Sequence, residues 1–315
     1  MNQYCFGVDL GGTTVKIGLF DPQGSVLEKW EIATRKENNG NMILPDIANA
    51  VLGKMEEMKI TKDSVIGVGI GVPGPVDDKG VVHKAVNLGW EVMNINDVLG
   101  ELLQMPVKAG NDANVAALGE MWCGGGKGYR NMVLATLGTG VGGGIIVNGK
   151  ILTGATGAGG EIGHIHIVDD EPEACGCGNH GCLEQYASAT GVVRIAKRKL
   201  AASNEGSVLR TALENNDLSA KAVFDAVKAG DKLACEIAET FGMYLGKGLA
   251  AIAGVVNPEV FVLGGGVSKA GEILCEYVSK YYQKYVFHGC KDVQFKLATL
   301  GNDAGIYGAA KLVLE

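Results

Sequence analysis

The chain has 315 residues and a formal net charge of −7, with 47% hydrophobic and only 6% aromatic residues. That length allows two domains with cores of their own. The acidic balance, with no cluster of Lys and Arg, excludes a general nucleic-acid surface, and the one short basic run, RIAKRK at 194–199, reads as a solvated helix face. No apolar run approaches a membrane span, and MNQYCFGVDLGG lacks a charged-then-apolar signal pattern, so a cytoplasmic setting is expected. The 49 glycines follow no collagen period and predict many tight turns and close backbone approaches.

In chain order, YCFGVDL and TTVKIGLF predict two strands around a glycine turn. Asp21-Pro22-Gln23-Gly24 closes the next hairpin, and VLEKWEIAT makes a third strand. MILPDIANAVLGKMEEM has helical spacing, with its proline in the first turn. SVIGVGIGV is a buried strand ending at Pro73-Gly74-Pro75; an irregular segment with Asn87 and Trp90 leads to the helix INDVLGELLQ. PVKAGN is a brief strand and DANVAALGEMW a helix. The pattern then begins again: strand NMVLATLG, a Thr139-Gly140 turn, strand VGGGIIV, an Asn148-Gly149 hairpin turn, and strand KILTG. Helices run from about 186 to 256 and stop at Asn257-Pro258. EVFVLGGGVS is a strand entering a glycine turn, GEILCEYVSKYY a helix, VQFKLATL a last strand, and DAGIYGAAKLVLE a closing helix of small residues. Two similar α/β halves, each with a glycine turn, imply two domains facing a cleft, with ligands at the strand mouths.

The segment GAGGEIGHIHIVDDEPEACGCGNHGCLEQ at 157–185 carries three of the five histidines and three of the eight cysteines. Cys175-x-Cys177 is too short to close readily as a disulfide. With Cys182 and one imidazole these thiolates instead suit a closed, structural tetrahedral zinc site, and the glycines between them allow a tight loop. His180 lies inside the loop, whereas the Glu161-x-x-His164 spacing makes His164 a ligand able to turn its second nitrogen towards a substrate hydroxyl. Both remain open from spacing alone.

Glycine turns after strands bring backbone N–H groups to phosphate, and three occur, at Leu10-Gly11-Gly12-Thr13, Leu137-Gly138-Thr139-Gly140 and Leu263-Gly264-Gly265-Gly266. Thr13, Thr14 and Thr139 add hydroxyls, and Asp9 before the first turn suits Mg2+ held through water. No P-loop motif occurs; the two Gly-x-Gly-x-x-Gly matches, at Gly69/Gly71/Gly74 and Gly138/Gly140/Gly143, open no helix and are set aside as chance. Asp112 is either the cap of the following helix or a base for an attacking hydroxyl, with Asn111 and Glu161 orienting neighbouring hydroxyls.

DLGGTTVKIG, NDAN, LGTGVGGGIIVNGKILTGATGAGGEIGH and CGCGNHGCLEQYAS together resemble, over nearly the whole chain, the ROK family of sugar kinases, and within it the bacterial glucokinases. The resemblance implies an actin-like, ribonuclease H-like α/β fold in two domains: 1–110 plus 302–315, and 111–301 carrying the zinc loop. It implies ATP-dependent phosphorylation of glucose at the 6-hydroxyl, with Asp112 as base and His164, Cys175, Cys177 and Cys182 on zinc. Sugar contacts are implied for Gly74, Asn111, Gly140, Glu161, His164 and Glu184; His166 and His180 receive no role. ATP with Mg2+ is implied against Asp9, Gly12, Thr13, Thr14, Gly138, Thr139, Gly264, Gly265 and Gly266, and a homodimer is implied as the assembly. Family repressors carry an N-terminal helix-turn-helix, for which the position of Asp9 leaves no room; Pro75 speaks against a substituted hexosamine. Fructose, mannose and N-acetylmannosamine stay open as acceptors. A zinc- and NAD-dependent alcohol dehydrogenase and a non-catalytic sugar sensor are the rivals from other classes.

Overall fold

The computed structural model describes residues 3–83 and 85–315. Twelve strands follow in order: β1 (Tyr4–Leu10), β2 (Thr14–Phe20), β3 (Val26–Ala33), β4 (Val65–Val72), β5 (Val81–Val82), β6 (Met93–Asn94), β7 (Val107–Asn111), β8 (Met132–Leu137), β9 (Val141–Val147), β10 (Lys150–Ile151), β11 (Val260–Gly264) and β12 (Gln294–Leu297). The principal helices are α1 (Ile43–Glu57), α2 (Ile95–Leu103), α3 (Asp112–Cys123), α4 (Ala189–Ala202), α5 (Val208–Glu214), α6 (Ala220–Lys228), α7 (Lys232–Val256), α8 (Glu272–Tyr285) and α9 (Ala304–Val313). The expected order of elements is therefore present. The strand expected at KILTG shrinks to two residues, and the irregular segment contains a small β5–β6 hairpin that the sequence pattern missed.

Two five-stranded mixed sheets share one strand order, β3-β2-β1-β4-β7 and β10-β9-β8-β11-β12. In each, the first three strands of the half are antiparallel or hairpin-linked neighbours and the later two join in parallel, which is the internal repeat seen in the sequence. The chain packs as two compact units: one holds the chain up to Arg130 with Gly144–Gly160 and Leu300–Glu315, the other Asn131–Gly143 and Glu161–Thr299. This division differs from the boundary expected at 110/111. The reason lies in α3: adding a Cβ at Gly308 would strike the backbone of Val115, and one at Gly119 the backbone of Ala304, so α3 and α9 are locked together through small residues.

In the first unit, the period-two alternation of β1 sends Phe6, Val8 and Leu10 into the core that contains Ile17, Ile47 and Ile70. Cys5 points the other way, into a smaller core with Phe20, Ile306 and Ala310. Gly7 and Gly69 lie so close to the backbone of α9 that no side chain fits. By the same alternation Asp9 faces the start of α9. Parallel pairing aligns Asp9 with Gly71, Gly71 with Gly110 and Val72 with Asn111, so Asp9, the Pro73–Gly74 turn and Asn111–Asp112 share the carboxyl edge of one sheet.

In the second unit β11 is buried along its whole length. The 25-residue α7 starts at an Asp231 cap accepting from the Ala234 N–H and stops at Asn257 in the left-handed region, as the Asn-Pro signal predicts. No helix among the described residues is long and apolar enough to cross a membrane.

Candidate active site

The sheet edge of the first unit gathers carboxylates around a glycine turn. Gly11 N–H donates to the Thr14 carbonyl at 3.0 Å, and the Thr34 hydroxyl donates to the Gly11 carbonyl at 2.7 Å, closing the turn. Gly12, Thr13 and Thr14 are exposed on it, and a Cβ at Gly12 would meet nothing. Beside the turn, Gly305 makes room for the Asp9 carboxyl, whose Cγ would lie 2.6 Å from a Cβ there. Burial pushes the Asp9 carboxyl up to about 6, and the negative charges of Asp112 and Asp303 add to the rise, against the opposing charge of Lys16. A buried aspartate with other carboxylates nearby offers oxygen donors. That chemistry fits a hard divalent cation such as Mg2+.

Asn111 and Asp112 divide the two roles that the sequence left open. Asn111 is the cap of α3: its Oδ1 accepts from the Asn114 N–H at 3.1 Å, while its Nδ2 donates to the Gly74 carbonyl at 3.1 Å. Gly74 sits at φ 102°, a conformation that favours glycine. Asp112 is then the first helical residue, with an exposed side chain whose Oδ1 accepts from the Ala113 N–H at 2.7 Å. With Asn111 as the cap, Asp112 stands exposed at the sheet edge. Two residues on, the buried Asn114 donates to the Gly159 carbonyl at 3.2 Å, fastening the loop before Glu161.

In the second unit the knuckle brings together His164, Cys175, Cys177 and Cys182, whose ligand atoms all lie within 4.8 Å of one another. Cys177 Sγ and Cys182 Sγ are 3.7 Å apart, and Cys175 Sγ is 3.7 Å from His164 Nδ1. A tetrahedron with metal–sulfur bonds of about 2.3 Å has edges of about 3.8 Å, so these spacings fit zinc and are far too long for a disulfide. Burial pushes the Cys175 thiol up to about 12 and raises Cys182, while the Asn179 backbone N–H lowers Cys177. A bound cation offsets the cost of ionising such thiols.

The choice among the histidines is now decided by geometry. His180 Nδ1 meets the Glu171 carbonyl at 2.9 Å, and His166 spans the His180 carbonyl and Asp169, so both serve the loop's own framework. His164 turns Nδ1 to the cysteines and Nε2 to Glu161, 3.9 Å away. Glu184 links two features. Its Oε1 lies 2.9 Å from Cys175 Sγ and 3.8 Å from His164 Nδ1; its Oε2 accepts from the Val141 N–H at 3.4 Å and fills the space a Cβ at Gly140 would need. The half-buried Glu184 thus touches the Gly140 turn, with His164 beside Glu184 and the exposed Glu161 beside His164.

The two glycine turns of this unit touch. Gly265, at φ 79°, packs on the backbone of Leu137, where a Cβ would come within 2.6 Å of its nitrogen, whereas Gly138 and Gly266 face open space. Neither Gly-x-Gly-x-x-Gly match opens a helix: Gly69 and Gly71 lie inside β4, and Gly143 inside β9.

One part of the site was not foreseen. Arg198, expected to be solvated, forks onto Glu171 with bonds of 2.8 and 3.0 Å, and Glu171 also accepts from the Tyr186 hydroxyl. Arg194 pairs with Glu173 at 3.1 Å. The Glu171 side chain is fully buried, and Arg198 first, with Tyr186, holds its carboxyl down to about 2. This buttress fixes the knuckle to α4. An acidic DDEPE run and a basic helix face 20-odd residues apart carry no spacing signal that pairs them.

The ROK family model matches residues 5–315. A glucokinase of Halalkalibacterium halodurans is 43% identical over 316 residues, covering 100% of this chain and 96% of that protein. Among solved structures, a ROK family glucokinase from Streptomyces griseus in complex with glucose and AMPPNP is 36% identical, with a TM-score of 0.75 over 98% of both chains. The ROK hexokinase of Thermus thermophilus is 32% identical, with a TM-score of 0.79 over 99% of this chain and 97% of its own. On matches of this extent, the chain belongs to the ROK family.

Proposed function

We propose that this protein is an ATP-dependent glucokinase that transfers the γ-phosphoryl group to the 6-hydroxyl of glucose. The observation that carries the reading is the placement of Asp112: an exposed carboxylate at the head of α3, next to the Asn111 cap, on the sheet edge that also bears Asp9 and the Gly11–Thr14 turn. Identity of 43% with a glucokinase along the full chain supports the substrate.

Phosphoryl transfer depends mostly on positioning and charge stabilisation. In this reading the two units are actin-like domains that close on a cleft and shut out water, a competing acceptor. Asp112 aligns the 6-hydroxyl and takes its proton as the oxygen attacks. Gly74, Asn111, Gly140, Glu161, His164 and Glu184 hold the remaining hydroxyls. Backbone amides and hydroxyls at Gly12, Thr13, Thr14, Gly138, Thr139 and Gly264–Gly266 face the donor phosphates. Asp9 would hold Mg2+ through water, and the metal when bound neutralises phosphate charge. His164, Cys175, Cys177 and Cys182 would hold zinc, which acts structurally by fixing His164 and Glu184. A homodimer is carried over from the family resemblance, and a reducing cytoplasmic setting suits the thiolate-rich knuckle.

The test is a panel of glucose, fructose, mannose, N-acetylmannosamine and N-acetylgalactosamine with MgATP, read as ADP release. Glucose is expected to give the highest kcat/KM. ADP release without dependence on any sugar contradicts the reading.

A further inference from the structure

Around the knuckle, one short segment joins the sugar-facing carboxylate to the phosphate-facing turn. The segment runs from Glu184 to Thr190, a single helical turn followed by the start of α4. Ser188 is completely buried at the join. Its Oγ donates to the Glu184 carbonyl at 2.6 Å, accepts the Gly191 N–H at 3.0 Å as the cap of α4, and lies 2.9 Å from the Thr190 hydroxyl. Thr190 Oγ1 in turn donates to the Thr139 carbonyl at 2.6 Å, and the Ala189 N–H donates to the Gly138 carbonyl at 2.8 Å. From the other end, Glu184 Oε2 accepts the Val141 N–H at 3.4 Å. The Gly138–Val141 turn is therefore held at both ends by the stretch that carries Glu184.

We infer that the Ser188–Thr190 hydroxyl pair is a positioning device that sets the Gly138-Thr139-Gly140 turn for the donor phosphates and makes it move as one body with Glu184. The inference rests on the proposed assignment of that turn to phosphate and of Glu184 to sugar. The physical basis is the carbonyl of Thr139. Pulled towards Thr190, it is kept away from the anionic ligand; the Gly138 N–H is spent on the Gly140 carbonyl at 3.0 Å, so the Thr139 and Gly140 amides are the ones the turn would offer to phosphate. A carbonyl released to face a phosphate repels it. Each hydroxyl carries one proton, so with Thr190 donating to Thr139 the Ser188 proton is shared between the Glu184 carbonyl at 2.6 Å and Thr190 Oγ1 at 2.9 Å; the share given to Thr190 fixes its rotamer, and Ser188, being buried, cannot itself reach a ligand.

The test compares Thr190→Val, Thr190→Ser and Ser188→Ala with the wild type in steady-state kinetics, with thermal melting as a control on folding. Loss of one such hydrogen bond should raise KM for ATP roughly three- to tenfold. For Thr190→Val we expect that rise with kcat and KM for glucose changed less than twofold, recovery in Thr190→Ser, and the same ATP-selective rise in Ser188→Ala. A Thr190→Val enzyme with unchanged KM for ATP overturns the inference. So does failure of Thr190→Ser to recover, or an effect in Thr190→Val absent from Ser188→Ala, which would mark direct ligand contact. Wild-type turnover of glucose is measured first. If there is none, the glucokinase reading has failed, and the same variant contrasts read by titration of ATP binding still decide the positioning role.

Discussion

The two glycine turns that open the two sheets occupy the same place in the same strand order but are surrounded by opposite chemistry. After β1, the Gly11–Thr14 turn has acids around it: Asp9 in the strand itself, with Asp112 and Asp303 close enough to raise its carboxyl. After β8, the Gly138–Gly140 turn has hydroxyls and amides within its own unit, through Thr139, Thr190 and Val141, and its one carboxylate, Glu184, comes from the knuckle. A duplicated fold thus supplies two copies of a phosphate-sized turn, and side chains differentiate them. In our reading the acidic copy handles the cation and the proton, and the neutral copy handles phosphate and sugar orientation.

The sharpest way to break that division is Asp112→Ala. It should lower kcat by about 10³-fold or more while leaving glucose binding within a fewfold of wild type, as removal of a general base does; stopped turnover with normal glucose titration checks it. Next comes Cys177→Ser, which should abolish zinc binding, checked by elemental analysis of both proteins, and with it most activity, since His164 and Glu184 lose their anchor. On the neutral side, Gly140→Ala pushes a methyl group into the Glu184 carboxylate, whereas Gly138→Ala meets open space. The first should raise KM for glucose by roughly tenfold, the second much less, if each contact costs on the order of 1 kcal/mol.

The smallest effect is on stability and has a defined sign. The Asp9 carboxyl is raised from 3.8 to about 6 in the folded chain, so the folded state binds that proton more tightly than the unfolded one. Its penalty is full above pH about 6 and is relieved as pH falls towards 4. Asp9→Asn should therefore stabilise the protein by on the order of 1–2 kcal/mol at pH 8, vanishing near pH 4, while weakening Mg2+-dependent turnover. Denaturant melts at several pH values measure this.

Much of this arrangement was legible beforehand because it depends on local rules. Strand–glycine–strand spacing located both turns, and Cys175-x-Cys177 with Cys182 located the knuckle. What stayed open or was not foreseen was non-local or a matter of one residue. The cap of α3 is Asn111 rather than Asp112, because the helix starts one residue earlier in register than the acid suggested. Arg198 and Glu171 meet only because α4 folds back on the knuckle. The unit boundary follows the glycine-mediated contact of α3 with α9, a pairing between residues nearly 200 positions apart. The histidine ligand could not be chosen by spacing, since His180 is spent on the Glu171 carbonyl only once the loop is folded.

The most direct test of the account is to identify the product of the wild-type enzyme incubated with glucose and MgATP by phosphorus NMR. We predict glucose 6-phosphate in a one-to-one ratio with ADP, none from Asp112→Asn, and no ADP when glucose is left out. Phosphate released to water, phosphorylation at another hydroxyl, or full turnover by Asp112→Asn would contradict it.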